Sequence, residues 1–291
     1  MSFEVKYNQI FELVKEDIES IKSLMCENIS VIQPLNDEIL NILNSPSKYI
    51  RSVVAILYIK ALELDVSSDV LNLLSAVELI HNASLIHDDV IDESAKRRDC
   101  KTLNSKFSSK LAVIAGDYIL SIAMQKIGAL EYSEITEMFA KTLEKMSKAE
   151  INQYFSKFKI PTLEQYIEKS RNKTAELFKS ALLSSIIVLG IEDDYAKDFI
   201  TNFGIAFQIR DDLLNLSESA DSKPVHNDIE SGIYTAPVIF SGNKDRAKDG
   251  IEKTCLLLNN YIEKAVKSVE NIEDNKYKRA LIKLSKSLSD E

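Results

Sequence analysis

Two short acidic runs, Asp88-Asp89-Val90-Ile91-Asp92 and Asp211-Asp212-Leu213-Leu214-Asn215, stand inside apolar stretches where carboxylates are scarce. On a helix, residues i and i+4 share a face, so Asp88 projects with Asp92 and Asp211 with Asn215. Oxygen ligands grouped in this way suit Mg²⁺, which takes one or two carboxylates and completes its shell with water and phosphate oxygens. Two such patches facing each other across a helical bundle would hold a diphosphate through the metal. Basic residues follow each run: Lys96, Arg97, Arg98 and Lys101 after the first, Lys223 after the second. Guanidinium groups grip phosphate oxygens in bidentate fashion, so metal and basic loop together point to chemistry on a diphosphate ester.

These residues must be positioned by helices, because helical periodicity dominates the chain and strand signals are nearly absent. Ile10, Leu13, Val14, Ile18, Ile21 and Met25 mark a first amphipathic helix. Pro34 opens a short helix to about Leu43, and Pro46 marks the turn after it. A helix from about Lys48 to Leu64 follows. Ser67, Ser68 and Asp69 then offer caps for a long one over about Val70 to Glu93. The polar stretch Ser94–Lys110 reads as a functional loop. Further helices are predicted at about Leu111–Leu130, Ser133–Phe158, Thr162–Leu189 and Asp193–Leu216. A second polar loop covers Ser217–Gly232, and two or three helices close the chain.

The bulk properties narrow the function. The 291 residues include 45% apolar side chains and only seven Gly and five Pro, which permits one large helical domain. A net charge of −9 argues against nucleic acid as a partner. Cys26, Cys100 and Cys255 form no metal or disulfide pattern, which fits a reducing cytoplasm. The N-terminus is a charged amphipathic segment, and the apolar run Ala181–Ile191 is too short to span a bilayer, so no transmembrane segment is expected.

The segment Glu78–Thr102 (ELIHNASLIHDDVIDESAKRRDCKT), followed by AGDYIL at Ala115–Leu120, resembles the first aspartate-rich region of the trans-isoprenyl diphosphate synthase (polyprenyl synthetase) family. GIAFQIRDDLLN, Gly204–Asn215, resembles the second region, and Lys173-Thr174 matches the family's KT pair between them. The likeness covers about residues 48–237 and is nearest to the medium- and long-chain bacterial members. Taken singly, acidic pairs near helix ends are ordinarily solvated surface, and His81 and His87 would pass as core histidines. The joint order of all these pieces is what carries function.

The resemblance implies an all-α, single-domain bundle with a deep central apolar cavity and Mg²⁺ at its mouth. It implies a prenyltransferase that joins isopentenyl diphosphate to an allylic diphosphate, acting as a homodimer. Asp88, Asp92 and Asp211, with Asp89, Asp212 and Asn215 beside them, would hold the metal. Arg97 and Lys173 would add positive charge on the leaving diphosphate, with Lys223 nearby. Lys48, Arg51, His81 and Arg98 would hold isopentenyl diphosphate, while Thr174 and Gln208 orient the cation and leaving group.

The chain also departs from the family pattern. Tyr49 replaces an arginine between Lys48 and Arg51, Asp99 replaces the glycine of an RRG, Asn215 replaces an aspartate, and Ile233 stands where a lysine is expected. Ala83 and Ser84 lie one turn below Asp88, where bulky aromatics give short products in this family. Both are small, which favours a long chain. Two alternatives remain: a short-chain farnesyl or geranylgeranyl diphosphate synthase, and a non-catalytic subunit of a heteromeric synthase. The five intact aspartates count against the second.

Overall fold

The structure is a computed structural model that describes residues 2–97, 100–218 and 228–290, with the side chains of 217 and 218 left aside. Its frame is helical. In chain order come α1 (Phe3–Phe11), α2 (Lys15–Cys26), α3 (Leu35–Leu43), α4 (Ile50–Ala61) and α5 (Ser68–Ile91). Then follow α6 (Leu103–Lys106), α7 (Ser109–Gly128), α8 (Ser133–Ser156), α9 (Leu163–Ser170), α10 (Glu176–Val188) and α11 (Asp194–Glu218). The chain closes with α12 (Ala236–Ser241), α13 (Ile251–Ser268) and α14 (Lys276–Ser287). The all-α expectation holds, and the only described strands are a two-residue ladder, Lys96–Arg97 against Cys100–Lys101.

Helix α5 is the spine. Ser67 caps it by accepting from the Val70 amide at 3.2 Å, as its sequence position predicts. Val70, Leu73, Leu74, Val77, Leu79 and Ile80 are all buried, which is the apolar-all-round pattern of a helix enclosed by others. Those others are α2, α4, α7 and α10, while α11 packs against α10 and α13. Each fully buried Leu or Ile in such a core contributes about 1.5–3 kcal/mol by leaving water.

Three departures from the sequence reading have local causes. The expected first helix is two, because the chain turns at Val14, whose ψ of 12° is not helical. The turn lets Phe3, Tyr7 and Ile10 face α14 while Ile18, Ile21 and Met25 face the bundle. The predicted helix over Thr162–Leu189 is interrupted by a π turn at Arg171–Ala175 between α9 and α10. Helix α11 crosses there at very close range: a Cβ on Gly204 would lie 2.7 Å from the Ala175 Cα. Finally, α4 starts at Ile50, so Lys48 lies outside the helix and Tyr49 takes a left-handed φ of 50° as its cap.

In the run Ala181–Ile191 the α10 part through Ile186 is mostly buried, as expected, and the residues after it are partly exposed. By length and composition alone, a different helix could cross a membrane: α7, with mean hydropathy 1.3. In the fold it lies along α5, with Gly116 so close to His87 that a Cβ there would sit 2.3 Å from Nε2.

Candidate active site

Residues of α4, α5, α7, α8, the π turn and α11 line a cavity of about 910 Å³. Asp88 from α5 and Asp211 from α11 both face it, so the fold brings the leading carboxylates of the two runs to one space. Lys48, Arg51, His81, Ala83, Ser84, Lys173, Thr174 and Gln208 line it too. Of the expected residues that fall within the described chain, these ten share one wall. Asp92 follows as the C-cap of α5, exposed and bonded through its amide to the Asp88 carbonyl at 2.8 Å. Arg98 and Lys223 lie outside the described residues.

The electrostatics of the wall are uneven. Burial pushes the Asp88 carboxyl up to about 6; Lys173 and Arg97 pull the other way, and Glu150 and Asp92 add to the rise. Burial and its neighbour Asp212 push Asp211 up to about 7, against Arg210, Arg51 and Lys48. Burial also draws the Lys173 ammonium down, but Glu150, Asp88 and Asp92 outweigh it and hold the group above its ordinary value. Glu150 on α8 is the ion-pair partner of Lys173.

Farther along the cavity is a second basic group. Lys48 pairs with Glu4 of α1 at 2.5 Å. Arg51 is buried with its guanidinium 4.9 Å from the Phe178 ring centroid, and its Nε has no hydrogen-bond partner among the described residues. Burial lowers its pKa, opposed by Glu78 and Asp211. Glu78 accepts from the Ser52 hydroxyl at 2.6 Å, which fixes its carboxylate beside the arginine. Tyr49, in place of an arginine, is buried and donates to the Leu43 carbonyl at 3.4 Å.

Four expected contributors have protein partners instead. Asp89 accepts from Arg97 Nε at 2.8 Å, so that pair anchors the two-residue hairpin rather than facing the cavity. Asp212 accepts from the Tyr166 hydroxyl at 2.6 Å and from the Gln208 amide at 2.8 Å. Thr174 in turn donates to Gln208 Oε1, completing a chain from Tyr166 to the cavity wall. The Asn215 side chain hydrogen-bonds to Asp228. Asp89, Asp212 and Asn215, expected as ligands, and Arg97, expected as a diphosphate contact, are thus engaged with protein partners in this state. Adjacent residues on a helix point about 100° apart, and here Asp88 and Asp211 line the cavity while Asp89 and Asp212 turn to Arg97 and Tyr166.

The donor set nevertheless fits Mg²⁺. Asp88 and Asp211 are hard oxygen donors whose raised pKa values mark carboxylates short of compensating positive charge. Among the described residues no three His, Cys, Asp or Glu side chains converge on one point. Mg²⁺ held by one or two carboxylates and completed by substrate phosphates needs no such cage.

Sequence reasoning missed Glu150, Glu78, Tyr166, Lys169 and Asp228. None is marked by a pair or run of its own; the fold brings Glu78 and Glu150 to the cavity wall and sets Tyr166, Lys169 and Asp228 around Asp212.

Residues 32–275 match the family model described as polyprenyl synthetase. The chain belongs to the polyprenyl synthetase family. The decaprenyl-diphosphate synthase of Dictyostelium discoideum is 30% identical across 96% of this chain and 71% of its own length. The decaprenyl diphosphate synthase structure from Rhodobacter capsulatus superposes with a TM-score of 0.88, covering 97% of this chain and 98% of that one at 24% identity. A polyprenyl synthase from Caulobacter crescentus, in complex with calcium and isoprenyl diphosphate, superposes with a TM-score of 0.87 at 21% identity over 97% of both chains. The latter two likenesses speak to the fold; the family model and the Dictyostelium relative speak to the family.

Proposed function

We propose that this family member is a Mg²⁺-dependent prenyltransferase that adds isopentenyl diphosphate to an allylic diphosphate. Its product is a medium- to long-chain all-trans polyprenyl diphosphate. The observation that carries this reading is the single cavity that joins Asp88, Lys173 and Asp211 to the Lys48–Arg51–His81 group.

Asp88 and Asp211 would hold the metal, with Asp92 and Asn215 one turn beyond them. When bound, Mg²⁺ would supply Lewis-acid charge neutralisation of the diphosphate that leaves as the allylic C–O bond breaks. Lys173 adds fixed positive charge on the same side. Thr174 and Gln208, locked by the bond to Asp212, present ordered dipoles to the allylic carbon. Lys48, Arg51 and His81 receive the second diphosphate, and Arg51 arrives with an unsatisfied Nε ready for a phosphate oxygen. Arg97, Arg98 and Lys223 would add positive charge toward the first diphosphate.

The growing chain runs past Ala83 and Ser84. Deeper on the same wall come Ile80, Leu120, Leu143 and Met146, with no Phe, Tyr or Trp from α5, α7 or α8 among the lining residues. An apolar lining also keeps water from the cation. The exposed apolar side chains Val113 and Ile114 of α7 and Phe155 of α8 support a homodimer formed through these helices. The three free cysteines suit the cytoplasm.

Chromatography of the products from isopentenyl diphosphate, Mg²⁺ and a farnesyl diphosphate primer tests the reading. Chains longer than geranylgeranyl support it. Exclusive formation of shorter chains sinks the length assignment, and absence of turnover sinks the catalytic one.

A further inference from the structure

Two lysines four residues apart, Lys169 and Lys173, divide the acidic wall between them. Lys173 faces the first cluster, with Glu150, Asp88 and Asp92 in its field. Lys169, at the end of α9, faces the second, with Asp212 and Asp228 in its field and Glu150 shared. Its ammonium donates to Gln153 Oε1 at 3.3 Å and lies 6.0 Å from the ring centroid of Tyr166, the residue that bonds Asp212.

Lys169 also lines a separate cavity of about 540 Å³, together with Gly232, Ile233 and Tyr234. Ile233 belongs to the turn that begins at Asp228, since its amide donates to the Asp228 carbonyl at 2.7 Å. A lysine at 233, the residue the family pattern calls for, would start from that turn and share that cavity. Here the position is apolar, and the ammonium reaches the same space from the opposite element. Lys169 is the cation that acts most strongly on Asp212 and on Asp228, which Lys173 also offsets, whereas Asp211 is offset by Arg210, Arg51 and Lys48.

We propose that Lys169 supplies, from α9, the positive charge that position 233 lacks, and so keeps the second acidic cluster receptive to a metal-bridged diphosphate. It is a positioning residue, acting through Asp212 and Asp228. The inference rests on the prenyltransferase reading for its purpose, but its test does not require turnover.

Calorimetric binding of inorganic diphosphate in the presence of Mg²⁺ is measured for the wild type, Lys169→Met, Lys169→Arg, Ile233→Lys and the Lys169→Met/Ile233→Lys double variant. The KM for farnesyl diphosphate and the Mg²⁺ dependence are followed alongside, with melting curves for every variant. Lys169→Met should weaken diphosphate binding about tenfold, the effect of one unit charge acting from roughly 12 Å through a protein-like medium. Lys169→Arg should bind nearly as the wild type does. In the Ile233→Lys background the Lys169→Met change should cost less than about threefold, the coupling that a shared role demands. Wild-type binding by Lys169→Met overturns the proposal. So does a double variant no better than Lys169→Met alone, which would leave Lys169 a packing residue. A wild type that binds diphosphate but turns nothing over would count against the enzymatic reading while leaving the lysine comparison intact.

Discussion

Tyr166 donates its hydroxyl to Asp212 at 2.6 Å, and that bond holds the second carboxylate of the DDLLN run away from the cavity that Asp211 lines. Two aspartates adjacent in sequence thus have different work. Asp211→Asn should lower kcat by about 10²- to 10³-fold, the scale for losing one group that stabilises the transition-state charge. Asp88→Ala should do the same. Tyr166→Phe strands a buried carboxylate oxygen, so its main effect should be a stability loss of about 1–3 kcal/mol with a smaller change in kcat. Steady-state kinetics and urea unfolding on the same preparations separate these outcomes. Equal kinetic damage from Asp211→Asn and Tyr166→Phe would erase the distinction.

The small pair below Asp88 gives a prediction on product length. Ala83 is buried and Ser84 partly so, and both line the cavity. Ala83→Tyr should place a ring across it, shortening the product while initial condensation survives. Reversed-phase chromatography of the chains reads this directly, and an unchanged distribution would put the floor elsewhere.

The raised carboxyls make the metal-free protein sensitive to pH in a definite direction. Asp211, faced by Asp212, Arg210, Arg51 and Lys48, titrates near 7 in the fold, and Asp88 near 6. In the unfolded chain both titrate at about 3.9. Between roughly pH 4 and pH 7 the folded state therefore holds more protons, so their contribution is greatest at low pH and is lost as pH rises. In a chelating buffer, Asp211→Asn should flatten the decline of melting temperature between about pH 5 and pH 7.5. A slope identical to the wild type would contradict the assignment.

The pair between Lys48 and Glu4 links α1 to the second basic group. Both partners are about half exposed, and such pairs are worth up to about 1 kcal/mol. Glu4→Gln should free the ammonium and lower the KM for isopentenyl diphosphate by up to about fivefold, with the KM for the allylic partner unmoved. A higher KM would mean that Glu4 orients Lys48 rather than competing for it.

Much of this site was legible in the sequence because its anchors come in runs. The positions of Asp88 and Asp211 follow from helical spacing inside apolar stretches, and Lys173-Thr174 from the family's pair. Spacing could not say which carboxylate of each doublet turns inward, since that depends on which one Tyr166 and Arg97 pair with, and a motif does not state its own pairings. Glu150 was invisible for a related reason: it is a single acid on an otherwise ordinary helix, given meaning only by Lys173 across the gap. The fold was read better than its joints. The break at Val14 and the π turn at Arg171–Ala175 arise from what each helix packs against, and no local preference announces them.

The π turn has one more consequence. A single residue in excess of helical repeat turns everything after it by about 100° relative to an uninterrupted helix. Before the turn, Tyr166 and Lys169 address Asp212; within it, Lys173 and Thr174 address the cavity; after it, Phe178 is pressed against Phe203 and Phe207 in the core. One continuous stretch of chain thereby serves three compartments that a regular helix could not reach in succession. Deleting one residue from Arg171–Ala175 would act like a slipped gear tooth: every contact beyond it would be intact in sequence and misdirected in space.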